Sequence, residues 1–296
     1  MISALTHGNE ICGAHALAFL FEANIRPLRG RLTLLFASVA AHAAGRPARP
    51  EPARYLDEDF NRLWSESILQ GPRQSRELAR ARALKTVIDS ADYLLDLHSM
   101  QDPGLALALT GVTEKGKRLA AAMGYPEYLI ADAGHAAGPR MRDYGDFALA
   151  ESAKTALLIE CGQHAEPMAK EVAIESALRF LAALGMIAPE TLHRLSRHGA
   201  PERQRRIAVT AAVTVRDESF AFAARYLCLD IVPKARHDDR KGRRAARPHP
   251  LRRLRPRDAG RGAAAGRDRR SPRPFSRLSR TAGGQGPCHA RGGAAT

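Results

Sequence analysis

The sequence predicts an α/β protein whose core is a mixed, mainly parallel sheet flanked by helices. Three observations predict it. Short strand-like apolar runs alternate along the chain with longer segments of helical spacing. Apolar residues make up 45% of 296, enough for a sizeable core. The polar clusters fall at the ends of the strand-like runs, where open sheets of this class place their sites.

Taken in order, residues 1–5 ("MISAL") read as a strand, and residues 11–23 ("ICGAHALAFLFEA") carry helix formers at helical spacing. Residues 31–39 ("RLTLLFASV") read as a buried strand. Residues 75–91 ("SRELARARALKTVIDSA") form an amphipathic helix that Ser75 can cap, because its hydroxyl can accept a first-turn amide. Residues 92–98 ("DYLLDLH") and 105–111 ("LALALTG") are strands, and residues 114–123 ("EKGKRLAAAM") a helix. Residues 155–162 ("TALLIECG") form a strand with a glutamate near its end. Residues 169–186 make a long helix closed near Gly185.

The net charge of +15 does not belong to this pattern. From Ala235 onward, eighteen Lys and Arg face four Asp, a net +14, which leaves +1 for everything before. That tail is Arg, Ala, Gly and Pro with Leu251, Leu254, Phe275 and Leu278 as its large apolar residues. It cannot bury enough surface to offset its ordering entropy, so it is expected to be disordered. Cys12, Cys161, Cys228 and Cys288 show no CxxC pairing, and the chain has neither a signal peptide nor an apolar run of membrane length. Reduced thiols, a cytoplasmic location and no membrane partner are the expectation.

Three residues have the chemistry of a metal site. His7 and Glu10 follow a strand at an i, i+3 spacing that lets both reach one ion, and His98 ends another strand. Two imidazoles and one carboxylate form the open three-ligand set of a catalytic zinc. A turn histidine beside a helix-capping glutamate would spell the first pair equally well; the second strand-end histidine tips the balance. In "ARYLDEDFNRLW", Arg54, Asn61 and Arg62 share a polar loop in which Asn61 and Arg62 suit a carboxylate, although an exposed ionic segment would look the same. Glu160 follows "TALLI" into the core, and a buried carboxylate is costly unless paired or put to use. Near a metal it would take a proton from water and pass it to a leaving nitrogen.

In their order and separations, "LTHGNE", "RYLDEDFNR", "LLDLHS" and "LLIECG" resemble the succinylglutamate desuccinylase and aspartoacylase family of zinc hydrolases, relatives of the zinc carboxypeptidases. The resemblance covers roughly residues 1–234. It implies a zinc-carboxypeptidase-like fold with one Zn2+ per chain on His7, Glu10 and His98, and Glu160 as general base and acid. Arg54 would polarise the scissile carbonyl, and Asn61 with Arg62 would hold a substrate carboxylate. The implied reaction is hydrolysis of an amide in a small, carboxylate-bearing N-acyl amino acid or similar acyl compound. His135, Arg140, Arg142 and His164 could line the pocket or be ordinary loop residues.

The resemblance also sets expected boundaries: a catalytic domain over residues 1–195, the start of a truncated β-rich C-terminal domain over 205–234, and a basic tail over 235–296. Relatives carry further residues ahead of the strand that delivers His7, so the start is expected to be shortened. An out-of-frame tail explains its composition: shifted by one base, a permitted coding of "HPLRRLRPRD" reads "TPYDDCVLV", which is strand-like. A basic arm that neutralises nucleic-acid phosphates is the other reading of the tail, but with Phe275 as its lone aromatic, nucleic acid is not the expected partner. A third possibility is a binding protein that keeps the fold without the chemistry.

Overall fold

A computed structural model describes residues 1–44, 53–212 and 226–231. The chain runs β1 (Ile2–Ala4), α1 (Cys12–Glu22), β2 (Leu34–Phe36), α2 (Val39–Ala43), α3 (Glu66–Leu69), α4 (Arg76–Asp89), β3 (Tyr93–Met100), β4 (Leu107–Leu109), α5 (Glu114–Met123), β5 (Tyr128–Ala131), β6 (Thr155–Gln163), α6 (Pro167–Ala183), α7 (Pro189–Leu195) and β7 (Arg205–Ala208). Local chemistry sets several boundaries. The Ser75 hydroxyl accepts from Leu78 N at the start of α4, as expected. Gly185, at φ +61°, ends the α6 turn, with Met186 N donating to Leu181 O.

The seven strands form one sheet in the order β2-β1-β3-β6-β4-β5-β7. Every neighbouring pair is parallel except β4 with β6, which is antiparallel. The link from β3 to β4, residues 101–106, accounts for the exception. It is too short for the crossover that two parallel strands need, so the chain turns back on itself. The sheet is therefore mixed and mainly parallel, flanked by helices, as predicted.

Alternation along the strands divides the core into two layers. Leu95 and Leu97 of β3 and Leu157 and Ile159 of β6 pack with α1, α5 and α6. Leu94 and Ala156 face the other way, against Phe60, Trp64 and the Leu78, Ala81 and Ile88 stripe of α4. By the period of two, Asp96, His98 and Glu160 project into this second layer. Phe180 of α6 is fully buried in the first layer. Phe180→Ala is expected to lower stability by about 3–5 kcal/mol, read as a shift in urea midpoint.

Four elements, α2, α3, β5 and α7, form where no element of their kind was expected. The segment from 205, expected to open a separate β-rich domain, instead contributes β7 to the main sheet, with Tyr128↔Arg205 through Ala131↔Ala208 in register. Most of the remaining expected domain, and the whole of the expected tail, lie outside the described residues.

Candidate metal centre

Three strands deliver the polar residues to one edge of the sheet. After β1 the backbone turns sharply through Leu5, a non-glycine residue at φ +55°, and carries Thr6 and His7 over the strand ends. Gly8 then passes so close to neighbouring backbone that an added Cβ would stand 2.4 Å from Ala53 O and 2.5 Å from His42 N. Only glycine fits, and the close approach lets Gly8 N donate to Arg54 O, tying the loop that carries Arg54 to the turn that carries His7. On the neighbouring strands, His98 of β3 stands directly opposite Glu160 of β6. A bulge follows at once: Met100 pairs with Gln163, the extra residue lying near Gly162 at φ +105°.

His7, Glu10 and His98 are all buried, and one ligand atom from each lies within 4.8 Å of the others. Glu10 is the hub. Its Oε1 is 2.7 Å from His7 Nδ1, its Oε2 is 2.8 Å from His98 Nδ1, and Ser99 N donates to the same Oε2 at 3.3 Å. The far ring nitrogens also meet carboxylates, His7 Nε2 facing Asp59 Oδ1 at 2.9 Å and His98 Nε2 facing Asp96 Oδ2 at 2.7 Å. Thr6 Oγ1 donates to Asp96 Oδ1 at 2.7 Å, which fixes that carboxylate in turn. Such carboxylate–imidazole pairs orient histidine ligands and raise their basicity. Two Nδ1 atoms converging on one carboxylate, each ring braced from behind, fit a zinc-type ligand set.

The electrostatics agree with that fit. Burial opposes charge on His98, but the Asp96 and Glu10 carboxylates outweigh it and hold the imidazole well above its ordinary range. His7 is raised for the same reason, burial being overcome chiefly by Glu10, with Arg54 working against it. Burial likewise resists ionisation of Glu10, yet the two imidazoles pull it well below the usual carboxylate range. Positive charge is thus favoured between these groups, as a divalent cation would supply it. Glu160 goes the other way: burial pushes it up to about 7, against the pull of His98 and with help from Glu10. Its Oε2 is buried without a hydrogen-bond partner, which suits a carboxyl group facing a reactant.

The loop residues fall into distinct roles. Arg54 bridges the cluster, its Nη2 lying 2.9 Å from His7 Nε2 and 3.0 Å from Asp59 Oδ2, and its Nη1 3.3 Å from Glu10 Oε1. Asn61 is buried in a 3-10 turn, Phe60–Arg62, where its Oδ1 accepts from Met141 N and its own N donates to Asp59 Oδ1. Arg62 donates from Nη1 to Asn61 O, and its Nη2 stands 4.0 Å from Asp59 Oδ2. Asp59 and Asp96 were not among the expected site residues. The signal for Asp96 was present in "LLDLH", since residues two apart on a strand share a face.

The four residues left open are also placed. His164 bridges Ser99 Oγ at 2.8 Å and Asn9 Nδ2 at 3.2 Å, beside the Glu10 hub. Arg140 and Arg142 are buried in an ion network with Asp132 and Asp143, and His135 Nδ1 accepts from Ala137 N in its own turn.

Residues 1–188 match the model of the succinylglutamate desuccinylase/aspartoacylase catalytic domain. A succinylglutamate desuccinylase of Burkholderia orbicola is 34% identical over 111 residues, 33% of this chain and 30% of that protein. The chain thus matches under a third of the length of that curated relative. Among solved structures, succinylglutamate desuccinylase of Vibrio parahaemolyticus superposes with a TM-score of 0.54 at 17% identity, over 79% of this chain and 69% of that one. The enzyme of the same name from Chromobacterium violaceum gives 0.53 at 17% identity, over 79% and 74%. Both show a shared fold.

Proposed function

The chain belongs to the succinylglutamate desuccinylase/aspartoacylase catalytic-domain family, and from that premise we propose that it is a zinc-dependent hydrolase of the amide bond in small, carboxylate-bearing N-acyl amino acids. The observation that carries the reading is the convergence of His7, Glu10 and His98 within 4.8 Å, with Glu160 on the adjoining strand. His7, Glu10 and His98 would hold one Zn2+, whose Lewis acidity acts on water and on the acyl carbonyl.

The chain's own groups supply the rest. Glu160 titrates near neutrality, so it can accept a proton from water and return it to the leaving nitrogen. Asp96 and Asp59 hold the two imidazoles in place, so that proton traffic falls to Glu160. Arg54 offers a fixed guanidinium to the oxygen on which negative charge develops. Asn61 and Arg62 suit the carboxylate of the amino-acid moiety, the planar fork of Arg62 matching its two oxygens. Cys12 and Cys161 are buried, free thiols, which supports a reducing compartment such as the cytoplasm. No helix among the described residues is long and apolar enough to cross a membrane.

The test pairs metal analysis with a panel of N-acyl amino acids. Stoichiometric zinc with turnover supports the proposal; zinc without turnover of any panel member would leave a binding protein on the same fold. Neither zinc nor turnover would sink it. Within an active chain, Arg62→Ala is expected to raise KM for carboxylate-bearing substrates roughly 10- to 100-fold with kcat little changed, because a ground-state clamp is lost. An unchanged KM would remove Arg62 from substrate binding.

A further inference from the structure

The stretch that carries Arg54, Asp59, Asn61 and Arg62 has little regular structure: within residues 53–62 the one repetitive piece is the 3-10 turn Phe60–Arg62. Its placement must come from outside. Three consecutive amides in its middle converge on one carboxylate, that of Glu77. Leu56 N donates to Oε1 at 2.6 Å, and Asp57 N and Glu58 N donate to Oε2 at 3.0 and 3.3 Å. Glu77 lies in the first turn of α4 and is only 3% exposed. The helix itself is anchored by the Ser75 cap and by Leu78, Ala81 and Ile88 in the second core layer.

A second tie joins the same two elements, since Arg76 N and Nε donate to Asp57. That pair is solvent-exposed, its side chains 62% and 37% accessible, and exposed ion pairs contribute little. The buried carboxylate is the stronger tie: its three bonds are charge-assisted, and removing the anion strands donors in a poorly solvated place. The two ends of the loop are held differently. Arg54 is tied to the metal-ligand turn through Gly8, whereas the Asp59 to Arg62 end continues directly from the segment that Glu77 grips and is held besides by Asp59 on His7 and Arg54 and by Met141 N on Asn61 Oδ1.

We infer that Glu77 is a positioning residue, which sets the Asn61–Arg62 end of the loop against the substrate carboxylate without touching metal or substrate. The inference rests on the function proposed above. It separates two effects that a general structural role would not: loss of Glu77 weakens substrate binding but leaves metal retention intact.

The test is Glu77→Gln in the full, zinc-loaded chain. Glutamine keeps the shape but turns one acceptor into a donor facing an N–H. Backbone hydrogen exchange at residues 56–58 is expected to speed at least about tenfold. KM for an N-acyl amino acid the parent hydrolyses is expected to rise about tenfold, with kcat within about threefold and zinc content unchanged. Combined with Arg62→Ala, the KM rise is expected not to exceed that of Arg62→Ala alone, because both act through one contact. Arg76→Ala, which removes the side-chain bonds of the exposed tie and leaves its backbone bond, is expected to change none of these. If Glu77→Gln does not fold, Glu77→Asp, shorter by one methylene, is expected to give an intermediate gain in exchange. Unchanged exchange, zinc loss alongside the KM change, or fully additive KM effects would each overturn the inference. Should the parent hydrolyse no N-acyl amino acid, the proposed function fails on its own. Glu77 is then judged by exchange together with binding of N-acetyl-aspartate, read from the fluorescence of the single tryptophan, Trp64; faster exchange with unaltered binding would overturn it.

Discussion

His98→Ala is expected to release zinc from the chain and abolish turnover together. In the proposed site His98 would supply one of three ligand positions, and its ring is braced by Asp96 at 2.7 Å with no other imidazole beyond His7 in the cluster to replace it. Losing an outer partner of a ligand typically costs 10- to 100-fold in metal affinity, so losing the ligand itself is expected to cost more than about 100-fold. Metal content after dialysis against a weak chelator is the measurement. Acidification should mimic the substitution. Both imidazoles hold protons above their ordinary range in the metal-free chain, so zinc must displace protons to bind and its retention must fall as pH drops. Full zinc retention by the His98→Ala chain would end the metal-site reading.

Glu160→Gln is expected to do the opposite: keep zinc and lose turnover. The proposed ligands sit on other elements, while the lost group is the one in the site that titrates near neutrality. Removing a positioned general base lowers kcat by about 10²- to 10⁴-fold. The pH profile gives a second readout. Glu160 must be ionised to accept a proton, so the parental rate should fall as pH drops through a value at or below about 7, because a bound cation would pull the metal-free value down. The glutamine variant should lack that limb. Stability runs the opposite way: a raised carboxylate favours the fold below its ordinary range, and that contribution is lost as pH rises through about 7. At pH 8 the metal-free glutamine chain should therefore be at least as stable as the parent, the ionised carboxylate costing on the order of 1–3 kcal/mol. Parental kcat in Glu160→Gln would strike Glu160 from the mechanism.

Much of the architecture was legible because it is locally encoded. The period of two in "DYLLDLH" and "TALLIECG", the helical spacing of residues 75–91 and the serine before it each act within a few residues, and β3, β6 and the capped α4 form where those signals lie. The same signals placed His7, His98 and Glu160 at strand ends. They said nothing of direction or partner. That β4 runs against β6, and that "RRIA" of β7 closes the sheet beside β5, depend on which edges remain free once the other strands have paired.

The carboxylates show the limit most clearly. Asp57, Glu58 and Asp59 are consecutive and alike in sequence, yet Asp57 pairs with Arg76, Glu58 with Arg73, and Asp59 with His7 and Arg54. Glu77 looked like an ordinary first-turn helix acid and instead gathers three loop amides. By itself the sequence determined the sheet class, most of the strands and the histidines and glutamate at their ends, because hydrophobic period and capping are short-range properties of the chain. Only the tertiary structure decided which acids brace the histidines and which hold the loop. Residues as far apart as Thr6 and Asp96 meet only after folding, and a carboxylate's worth depends on the donors and burial it then finds.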